Sequence, residues 1–325
     1  MPRYLVTGGA GFIGSHIAEA LLRRGDTVRI LDNFATGLRE NVTALAGAEI
    51  LEGDIRSYHI VREAVDGVDF VLHQAALPSV PRSVRDPLTT NEVNVVGTLN
   101  VLTASRDARV QRLVYASSSS VYGRTTGLPK REEMHPDPFS PYAVSKLTGE
   151  LYCRAFAELY RFETVVLRYF NVFGPRQNPK SEYSAVIPKF IELMRHDRPP
   201  VIYGDGSQTR DFTYVANVVA VNLQACERTG IVGRVFNVAA GERTSLNELV
   251  ATLETILGRK ARPVFQPARP GDLEHSYAAI DAARGALGYE PSVRLAEGLR
   301  HTVRAMTGQA AGAVEQRPPT ELVPE

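Results

Sequence analysis

Tyr4-Leu5-Val6-Thr7-Gly8-Gly9-Ala10-Gly11-Phe12-Ile13-Gly14 is the stretch that decides the fold. A short apolar run of strand-forming residues leads directly into three glycines spaced three apart, and a helical pattern follows. Glycines at such a turn permit a tight bend, a close approach of the backbone to a pyrophosphate, and close packing of helix on strand. The start of the helix also offers unpaired N–H groups to phosphate oxygens. The stretch therefore predicts a dinucleotide-binding strand–turn–helix unit.

Two aspartates extend the predicted dinucleotide site. Asp32 ends the second strand, about 20 residues downstream, where an acidic side chain accepts hydrogen bonds from ribose hydroxyls. Because a carboxylate there repels a 2′-phosphate, NAD is favoured over NADP. Asp54, in Gly53-Asp54-Ile55 at the end of the third strand, is either an adenine contact or a turn-forming aspartate, and the sequence leaves both open.

Short β-branched runs alternate with longer helical patterns along the first half of the chain. Nearly all-apolar strands that alternate with helices indicate a parallel sheet covered on both faces. The fold class is therefore predicted as α/β, a Rossmann-like doubly wound parallel sheet with a smaller, interleaved C-terminal α/β lobe. The predicted strands are Tyr4–Thr7, Thr27–Asp32, Glu49–Glu52, Phe70–His73, Leu113–Ser117 and Thr164–Tyr169, and the helices Phe12–Arg24, Ser57–Val65, Glu92–Arg106 and Tyr142–Tyr160.

Three regions are predicted along the chain. Residues 1–170 form the NAD-binding domain, and segments near 205–240, among them the predicted strand Val235–Ala239, return to it. Residues 171–307, where proline and glycine become frequent, form mainly a substrate-binding lobe. Residues 308–325 lack periodicity and are predicted to be a disordered tail.

Composition limits the classes of partner. The 325 residues carry 37 basic and 36 acidic side chains, and a net charge of +1 favours neither nucleic acid nor an anionic membrane. No apolar run is long enough to span a bilayer. Cys153 and Cys226 lack metal-like spacing and fit a reducing compartment, so we expect no metal site and a cytoplasmic protein.

Tyr142-Ala-Val-Ser-Lys146 is the candidate catalytic motif. A tyrosine and a lysine four apart on a helix project from the same face. An ammonium held close favours the phenolate, lowers the tyrosine pKa from about 10, and makes it a usable general base. The alternative is ordinary packing of the ring against the lysine stem.

The glycine turn and the Tyr142/Lys146 pair together make the chain resemble the extended short-chain dehydrogenases/reductases. The resemblance covers residues 3–305 and includes Asn94 before Gly97-Thr98, His73-Gln74-Ala75-Ala76, and Arg168-Tyr169-Phe170-Asn171. It implies an NAD-dependent enzyme with a catalytic set of Ser118, Tyr142 and Lys146. The implied cofactor-binding residues are Gly8, Gly11, Phe12, Ile13, Gly14, Asp32, Asn33, Asp54, Ile55, Gln74, Ala75, Ala76, Asn94, Tyr142, Lys146 and Tyr169.

The resemblance also narrows the reaction to C4 chemistry on a nucleotide sugar. In the family, tyrosinate removes a proton from a sugar hydroxyl, usually at C4, while hydride passes to NAD. Members that eliminate water carry an Asp-Glu pair after the catalytic Ser/Thr, whereas here the two positions are Ser119 and Ser120. Neither serine is an acid or base at neutral pH, so C4 epimerisation through a transient 4-ketone is the expected reaction.

The implied substrate is a UDP-sugar, and the motifs look most like the UDP-N-acetylglucosamine 4-epimerase branch. Ser276 aligns where glucose-restricted relatives carry tyrosine, which leaves space for an acetamido group, although such a pocket also admits UDP-glucose and UDP-galactose. Arg82 or Arg176 pairing with a uronate keeps UDP-glucuronate as a rival substrate. The implied substrate-binding residues are Ser79, Arg82, Ser118, Ser119, Ser120, Asn171, Val186, Lys189, Tyr203, Arg210, Arg269, Asp272 and Ser276.

Two further alternatives stay open at this point. Other UDP-sugar C4 oxidoreductases share the motifs, and a non-catalytic NAD-binding sensor would keep the fold without needing a tuned base. The helix 142–160 carries apolar residues on more than one side, which indicates either a dimer interface or burial on two faces within the core. A homodimer is the expectation that the family supplies.

Overall fold

The computed structural model describes residues 1–178, 185–268 and 274–308. Its centre is a sheet of seven parallel strands in the order β3-β2-β1-β4-β5-β6-β11. The sheet strands are β1 (Arg3–Thr7), β2 (Thr27–Asp32), β3 (Glu49–Glu52), β4 (Phe70–His73), β5 (Arg112–Ser118), β6 (Glu163–Tyr169) and β11 (Val235–Val238). This confirms the predicted fold class.

Helices connect the strands and cover both faces of the sheet. Those of the first half are α1 (Phe12–Arg24), α2 (Glu40–Thr43), α3 (Tyr58–Val65), α4 (Val80–Arg85), α5 (Pro87–Asn91), a π-helical turn (Glu92–Val96), α6 (Gly97–Asp107), a 3₁₀ turn (Ser119–Tyr122) and α7 (Pro141–Tyr160). Those of the second half are α8 (Val186–Arg195), α9 (Val215–Glu227), α10 (Leu246–Leu257), α11 (Asp281–Leu287) and α12 (Leu295–Thr307).

Two apolar clusters lie on opposite faces of the sheet. Tyr4 and Val6 point into one, and Leu5 belongs to the other, as alternation along a strand requires. The first cluster packs α1, α9 and α11 on the sheet, and the second packs α3, α6 and α7. Strand order reverses between β1 and β4, which places a crevice at the carboxyl ends of these strands, where ligands of open α/β sheets bind.

A smaller lobe is built from short strands and three helices. Its strands are β7 (Val172–Phe173), β8 (Val201–Tyr203), β9 (Thr209–Arg210), β10 (Thr213–Tyr214), β12 (Thr244–Ser245), β13 (Val264–Gln266) and β14 (His275–Ser276). A separate cluster that includes Phe173, Ile187, Phe190, Leu249 and Leu299 forms its core beneath α8, α10 and α12. In chain order, α9 and β11 lie between β9 and β14 of the smaller lobe. Because α9 packs on the large sheet and β11 is one of its strands, the two lobes interleave.

The structure changes the interpretation of the helix at 142–160. Phe156 is buried, whereas Val144, Leu151 and Leu159 are 49%, 50% and 74% exposed. Burial on two faces within the core is therefore wrong for this helix, and one apolar side faces outward.

Other expectations on organisation have mixed outcomes. The first turn of the predicted helix Glu92–Arg106 is a π-helical turn, and such turns are frequent at functional sites. The boundaries at 170 and 307 stay predictions, and the tail lies outside the described residues from 309 onward. In the described part of the chain, no helix is long and apolar enough to cross a membrane.

Candidate active site

A cleft of about 1090 Å³ opens at the carboxyl ends of the central strands. It brings together residues from the β1–α1 turn, the ends of β2, β3, β4 and β6, and the start of α7. The predicted site residues that line it are Gly8, Gly11, Phe12, Ile13, Gly14, Asp32, Asn33, Asp54, Ile55, Gln74, Ala75, Ala76, Ser79, Arg82, Tyr142, Lys146 and Tyr169.

The glycines at positions 8, 11 and 14 of the β1–α1 turn have different roles. Gly8 has a φ of +69°, and a Cβ there would lie 2.7 Å from the backbone nitrogen of Ala75. A Cβ on Gly14 would lie 2.2 Å from the carbonyl oxygen of Gly8, so only glycine permits this close packing. Gly11 caps α1 without a side-chain hydrogen bond, which leaves the first N–H groups of the helix for an anion.

Asp32 stands at the end of β2 beside this turn. Its carboxylate accepts hydrogen bonds from the backbone N–H groups of Ala10 (2.9 Å) and Phe34 (2.8 Å). Burial raises the pKa of Asp32, and these two hydrogen bonds oppose the rise. An uncapped helix start, a glycine cradle and a fixed acidic group are the features that a dinucleotide requires, so the residues present fit NAD.

Asp54 also reaches the cleft, with its carboxylate already engaged. It accepts from Asn33 Nδ2 at 2.9 Å and pairs with Arg56 at 2.8 Å. Hydrogen bonds from Arg56 lower the pKa of Asp54 to about 2. Its predicted contact with the adenine stays a prediction.

The start of α7 sets the position of Tyr142. The Ser140 hydroxyl accepts from the backbone N–H of Ala143 at 3.2 Å, and Pro141 occupies the first helical position. Both residues favour a helix start. Tyr142 consequently lies in the first turn, one turn before Lys146, and both side chains line the cleft.

The electrostatics of Tyr142 and Lys146 differ from the expectation. Burial raises the pKa of Tyr142, and a hydrogen bond with the Ser118 side chain lowers it. The Lys146 amine donates instead to the carbonyl oxygen of Ala116 at 2.9 Å. Burial lowers the pKa of Lys146 to about 8, while the nearby Glu150 carboxylate raises it. The partner that acts on the phenol in this arrangement is therefore Ser118, not Lys146.

Ser118 is the last residue of β5, and its hydroxyl accepts two hydrogen bonds from Ser120. The Ser118 Oγ accepts from the Ser120 backbone N–H at 3.2 Å and from the Ser120 hydroxyl at 3.0 Å. Ser118, Ser119 and Ser120 are each partly exposed, and they follow Ser117, which lines the cleft, without themselves being among its lining residues. Neither Ser119 nor Ser120 supplies a carboxylate near Tyr142.

The sequence does not predict a buried ion pair that lies behind the catalytic residues. Arg168, on β6, donates to both carboxylate oxygens of Glu150 on α7, at 2.9 and 2.7 Å. The Ser117 hydroxyl on β5 also donates to Glu150. These bonds tie α7 to the two strands that carry Ser118 and Tyr169. The spacing of Glu150 four residues after Lys146 places the carboxylate near that amine, but nothing in the sequence points to Arg168 as its partner.

Asn94 lies behind the cleft, and its predicted contact with the cofactor stays a prediction. It is buried, and its amide exchanges hydrogen bonds with the backbone of Leu77, accepting at 2.7 Å and donating at 3.1 Å. It also donates to the Ser145 hydroxyl at 3.0 Å. Asn94 does not line the cleft, and it holds the β4–α4 loop against α7.

Tyr169 and Gln74 reach the cleft as predicted, supported by a residue that the sequence analysis missed. Asn222, on α9, donates to the Tyr169 hydroxyl at 2.8 Å and accepts from Gln74 Nε2 at 3.2 Å. The Tyr169 hydroxyl in turn lies 3.2 Å from Gln74 Oε1. This closed triangle fixes both side chains at the wall of the cleft.

Predicted substrate contacts of the smaller lobe fall into groups. Ser276 on β14 pairs in register with Arg210 on β9, and Ser276 is only 9% exposed. Asn171 donates through Nδ2 to the Asp211 carbonyl at 3.1 Å, which ties it to the same segment. Tyr203 is half-buried at the end of β8.

The remaining predicted contacts are more scattered. Val186 is half-buried and Lys189 exposed in the first turn of α8. Arg269 and Asp272 lie outside the described residues. Of the two arginines considered for a uronate, Arg82 lines the cleft, whereas Arg176 pairs with Glu19 at 2.7 Å.

Comparisons with known proteins agree with this geometry. The family model of the NAD dependent epimerase/dehydratase family matches residues 4–239. The chain is 39% identical over 306 residues to a UDP-glucose 4-epimerase of Mycolicibacterium smegmatis, covering 93% of this chain and 97% of the relative.

Two solved structures are similar over nearly the whole chain. One is the UDP-N-acetylglucosamine 4-epimerase from Methanobrevibacter ruminantium M1 in complex with UDP-N-acetylmuramic acid, with a TM-score of 0.91, 38% identity, and coverage of 95% of this chain and 99% of that chain. The other is the UDP-glucuronic acid 4-epimerase from Bacillus cereus in complex with UDP-glucuronic acid and NAD, with a TM-score of 0.88, 33% identity, and coverage of 94% and 99%.

Proposed function

Because the chain belongs to the NAD-dependent epimerase/dehydratase family, we propose that it interconverts the C4 epimers of a UDP-sugar, with UDP-N-acetylglucosamine and UDP-N-acetylgalactosamine as its preferred pair. The observation that carries the reaction type is the placement of Tyr142 and Lys146 in one cleft with the glycine turn and Asp32. Ser118 is hydrogen-bonded to Tyr142, and serines rather than carboxylates follow Ser118. UDP-glucose and UDP-galactose are a second substrate pair.

Each wall of the cleft has a part in holding the cofactor. The start of α1 and Gly11 receive the pyrophosphate, and Asp32 receives the ribose hydroxyls of the adenosine half. NAD, when bound, supplies a hydride acceptor and donor for the sugar C4. Tyr169 and Gln74, held by Asn222, form the opposite wall and exclude water from it.

Tyr142 and Ser118 carry the proton. The Tyr142 phenolate takes the proton of the sugar 4-hydroxyl as that carbon is oxidised, and it returns the proton when the ketone is reduced on its other face. The hydrogen bond from Ser118 stabilises the phenolate. Lys146 lines the same cleft with its amine donating to the carbonyl oxygen of Ala116, and it is one of the residues that would bind the cofactor.

The two positions after Ser118 carry no acid or base that would divert the ketone. Elimination of water from the 4-keto sugar requires a further acid and base beside the catalytic serine. Ser119 and Ser120 occupy those positions, and Ser120 directs its hydroxyl to Ser118. The ketone is consequently reduced again, and the reaction has no net redox change.

Two observations support the N-acetylhexosamine as substrate. Ser276 is small and lies beside Arg210, whose guanidinium suits a diphosphate, so no large side chain at this position opposes a bulky 2-substituent. The Methanobrevibacter ruminantium relative is an epimerase of UDP-N-acetylglucosamine.

UDP-glucuronate is the rival substrate, and Arg82 is the observation that favours it. This arginine lines the cleft, where its guanidinium would suit a carboxylate. Arg176, the second arginine considered for the uronate, is not among the residues that line the cleft, and it donates to Glu19. The Bacillus cereus relative is an epimerase of UDP-glucuronic acid.

A panel incubation without added cofactor tests the proposal. UDP-N-acetylglucosamine, UDP-glucose and UDP-glucuronate are incubated separately with the protein, and the C4 epimers are measured by chromatography. We expect the fastest conversion of the acetamido sugar. Conversion of the uronate alone would overturn the substrate choice, and a stable 4-keto-6-deoxy sugar would overturn the reaction type.

A substitution at Ser276 separates the two hexose pairs. Ser276→Tyr places a ring beside Arg210 and should slow the acetamido sugar far more than the hydroxyl sugar, because only the former needs the space. Ser276→Ala, which stays small, is the matched control. Equal loss on both sugars in Ser276→Tyr would remove Ser276 from the specificity argument.

The exposed apolar side of α7 supports a homodimer. Val144 and Leu151, one face of that helix, would be buried by a second copy through α6 and α7. Light scattering of Leu151→Glu should show a monomer where the unaltered protein shows a dimer. A cytoplasmic location is part of the same proposal, since Cys153 and Cys226 are free, buried thiols.

A further inference from the structure

We infer that Ser120 is a positioning residue that fixes the direction of the Ser118 hydroxyl, so that Ser118 has its one proton available for Tyr142. The inference rests on the proposed function and deepens it. It gives Ser120 a role other than the substrate contact that the sequence predicts.

The hydrogen bonds that the Ser118 hydroxyl makes support this inference. A serine hydroxyl has two acceptor positions and one donor proton. In Ser118 both acceptor positions are used by Ser120, one by its backbone N–H at 3.2 Å and the other by its hydroxyl at 3.0 Å. The proton of Ser118 is therefore the part of the hydroxyl that is left, and the proposed acceptor of this proton is the Tyr142 oxygen, since a hydrogen bond with Ser118 lowers the pKa of Tyr142.

The local backbone explains why Ser120 can make both bonds. Ser118 has extended dihedral angles (φ −145°, ψ 146°) and caps the 3₁₀ turn Ser119–Tyr122. A cap residue receives an N–H from two or three positions further along the chain, so the Ser120 N–H necessarily points back at Ser118. The Ser120 side chain leaves the adjacent Cα atom, and its hydroxyl adds the second donor.

The consequence is a chain of two hydroxyls that ends on the phenol. A hydroxyl that accepts hydrogen bonds becomes a stronger donor, because each bond polarises the next. Ser120 thereby strengthens the bond from Ser118 to a negatively charged Tyr142 more than the bond to a neutral one. The effect favours the phenolate, which is the reactive form, and opposes the burial that disfavours it.

Ser120→Ala tests this role, with Ser120→Thr as the conservative variant. Alanine removes the hydroxyl donor and keeps the backbone N–H, whereas threonine keeps both. We expect kcat of Ser120→Ala at neutral pH to fall about 3- to 10-fold, the size of one net hydrogen bond between neutral groups. KM should change less than kcat, the acidic limb of the pH profile should move to higher pH, and Ser120→Thr should restore both. Ser105→Ala is the control for loss of a buried serine hydroxyl, because Ser105 Oγ is buried on α6 without a partner among the described residues.

A second measurement requires no turnover and separates this inference from the proposed function. The ultraviolet absorbance of tyrosinate is titrated in the NAD-loaded protein and in its Tyr142→Phe variant, and the difference isolates Tyr142 among the 13 tyrosines. The same difference is taken in the Ser120→Ala background, where Tyr142 should titrate at higher pH. An unchanged titration of Tyr142 would overturn the inference whatever sugar is converted. A raised KM with an unmoved pH profile would also overturn it, in favour of direct contact between Ser120 and substrate.

Discussion

Glu150→Gln is the substitution that most sharply tests how the catalytic elements are held together. Glu150 and Arg168 have side chains that are each 4% exposed, and they meet through two charged hydrogen bonds. Glutamine keeps the shape but removes the charge, and its amide nitrogen faces either the guanidinium or the Ser117 hydroxyl. Breaking a buried ion pair by removing one partner costs about 3–5 kcal/mol, because the other charge stays buried. We expect the free energy of unfolding to fall by that amount.

Urea unfolding followed by circular dichroism measures this loss, and the chain offers a matched control. Glu163 makes a similar contact with Arg112 at 2.6 Å, but its side chain is 44% exposed. Arg112 also donates to the carbonyl oxygens of Ala225, Cys226 and Arg228, so its charge keeps partners without Glu163, and Glu163→Gln should cost about 1 kcal/mol or less. The double variant Glu150→Leu/Arg168→Met, in which no charge stays buried, should recover most of the loss. Equal losses in Glu150→Gln and Glu163→Gln would refute the reasoning, as would a double variant no more stable than Glu150→Gln.

Two further predictions concern buried ionisable groups, one in the cleft and one outside it. Burial lowers the pKa of Lys146 from 10.5 to about 8, so between these values the unfolded chain holds a proton that the folded chain has lost, and stability rises with pH. The free energy of unfolding is measured at pH 7 and at pH 10 for the unaltered protein and for Lys146→Met. From pH 7 to pH 10 the unaltered protein should gain up to about 3 kcal/mol relative to the variant. An equal difference between the two proteins at both pH values would contradict the lowered pKa of Lys146. Asp211 accepts three backbone N–H groups, from Ala240 (2.8 Å), Gly241 (3.1 Å) and Ala278 (3.3 Å). Asp211→Asn places an NH₂ group opposite at least one of these N–H groups, so two donors face each other. Unfolding in urea should therefore show that the free energy of unfolding falls by about 2–4 kcal/mol. An unchanged free energy would mean that the loops move apart at no cost.

The fold was predictable because its signals are local. Gly8 and Gly14 stand where a Cβ would strike the backbone, so the residue type itself reports the geometry of the turn. Apolar strands alternating with helices determine the sheet in the same local way. The exposure of Val144 and Leu151 was not predictable, since an apolar helix face reads alike whether the core or a second chain covers it.

The candidate site was predictable in its members but not in its couplings. The glycines, Asp32, Tyr142 and Lys146 all reach one cleft, as expected. The ion pair of Glu150 with Arg168 joins residues on different elements, which no spacing reveals. The hydrogen-bond partner of Lys146 was not predictable either. Burial depth and side-chain direction decide whether its amine faces the phenol or a carbonyl oxygen.

The fate of the hydrogen on the sugar C4 tests the central claim most directly. The UDP-sugar that the protein converts is prepared with deuterium at C4 and incubated in ordinary water without added cofactor, both with the unaltered protein and with Tyr142→Phe. We predict that the C4 epimer keeps its deuterium, because the hydride leaves and returns within one cleft, and that Tyr142→Phe retains NAD but forms no epimer. Loss of the label to solvent, or epimer formation by Tyr142→Phe, would contradict a reversible proton shuttle at Tyr142.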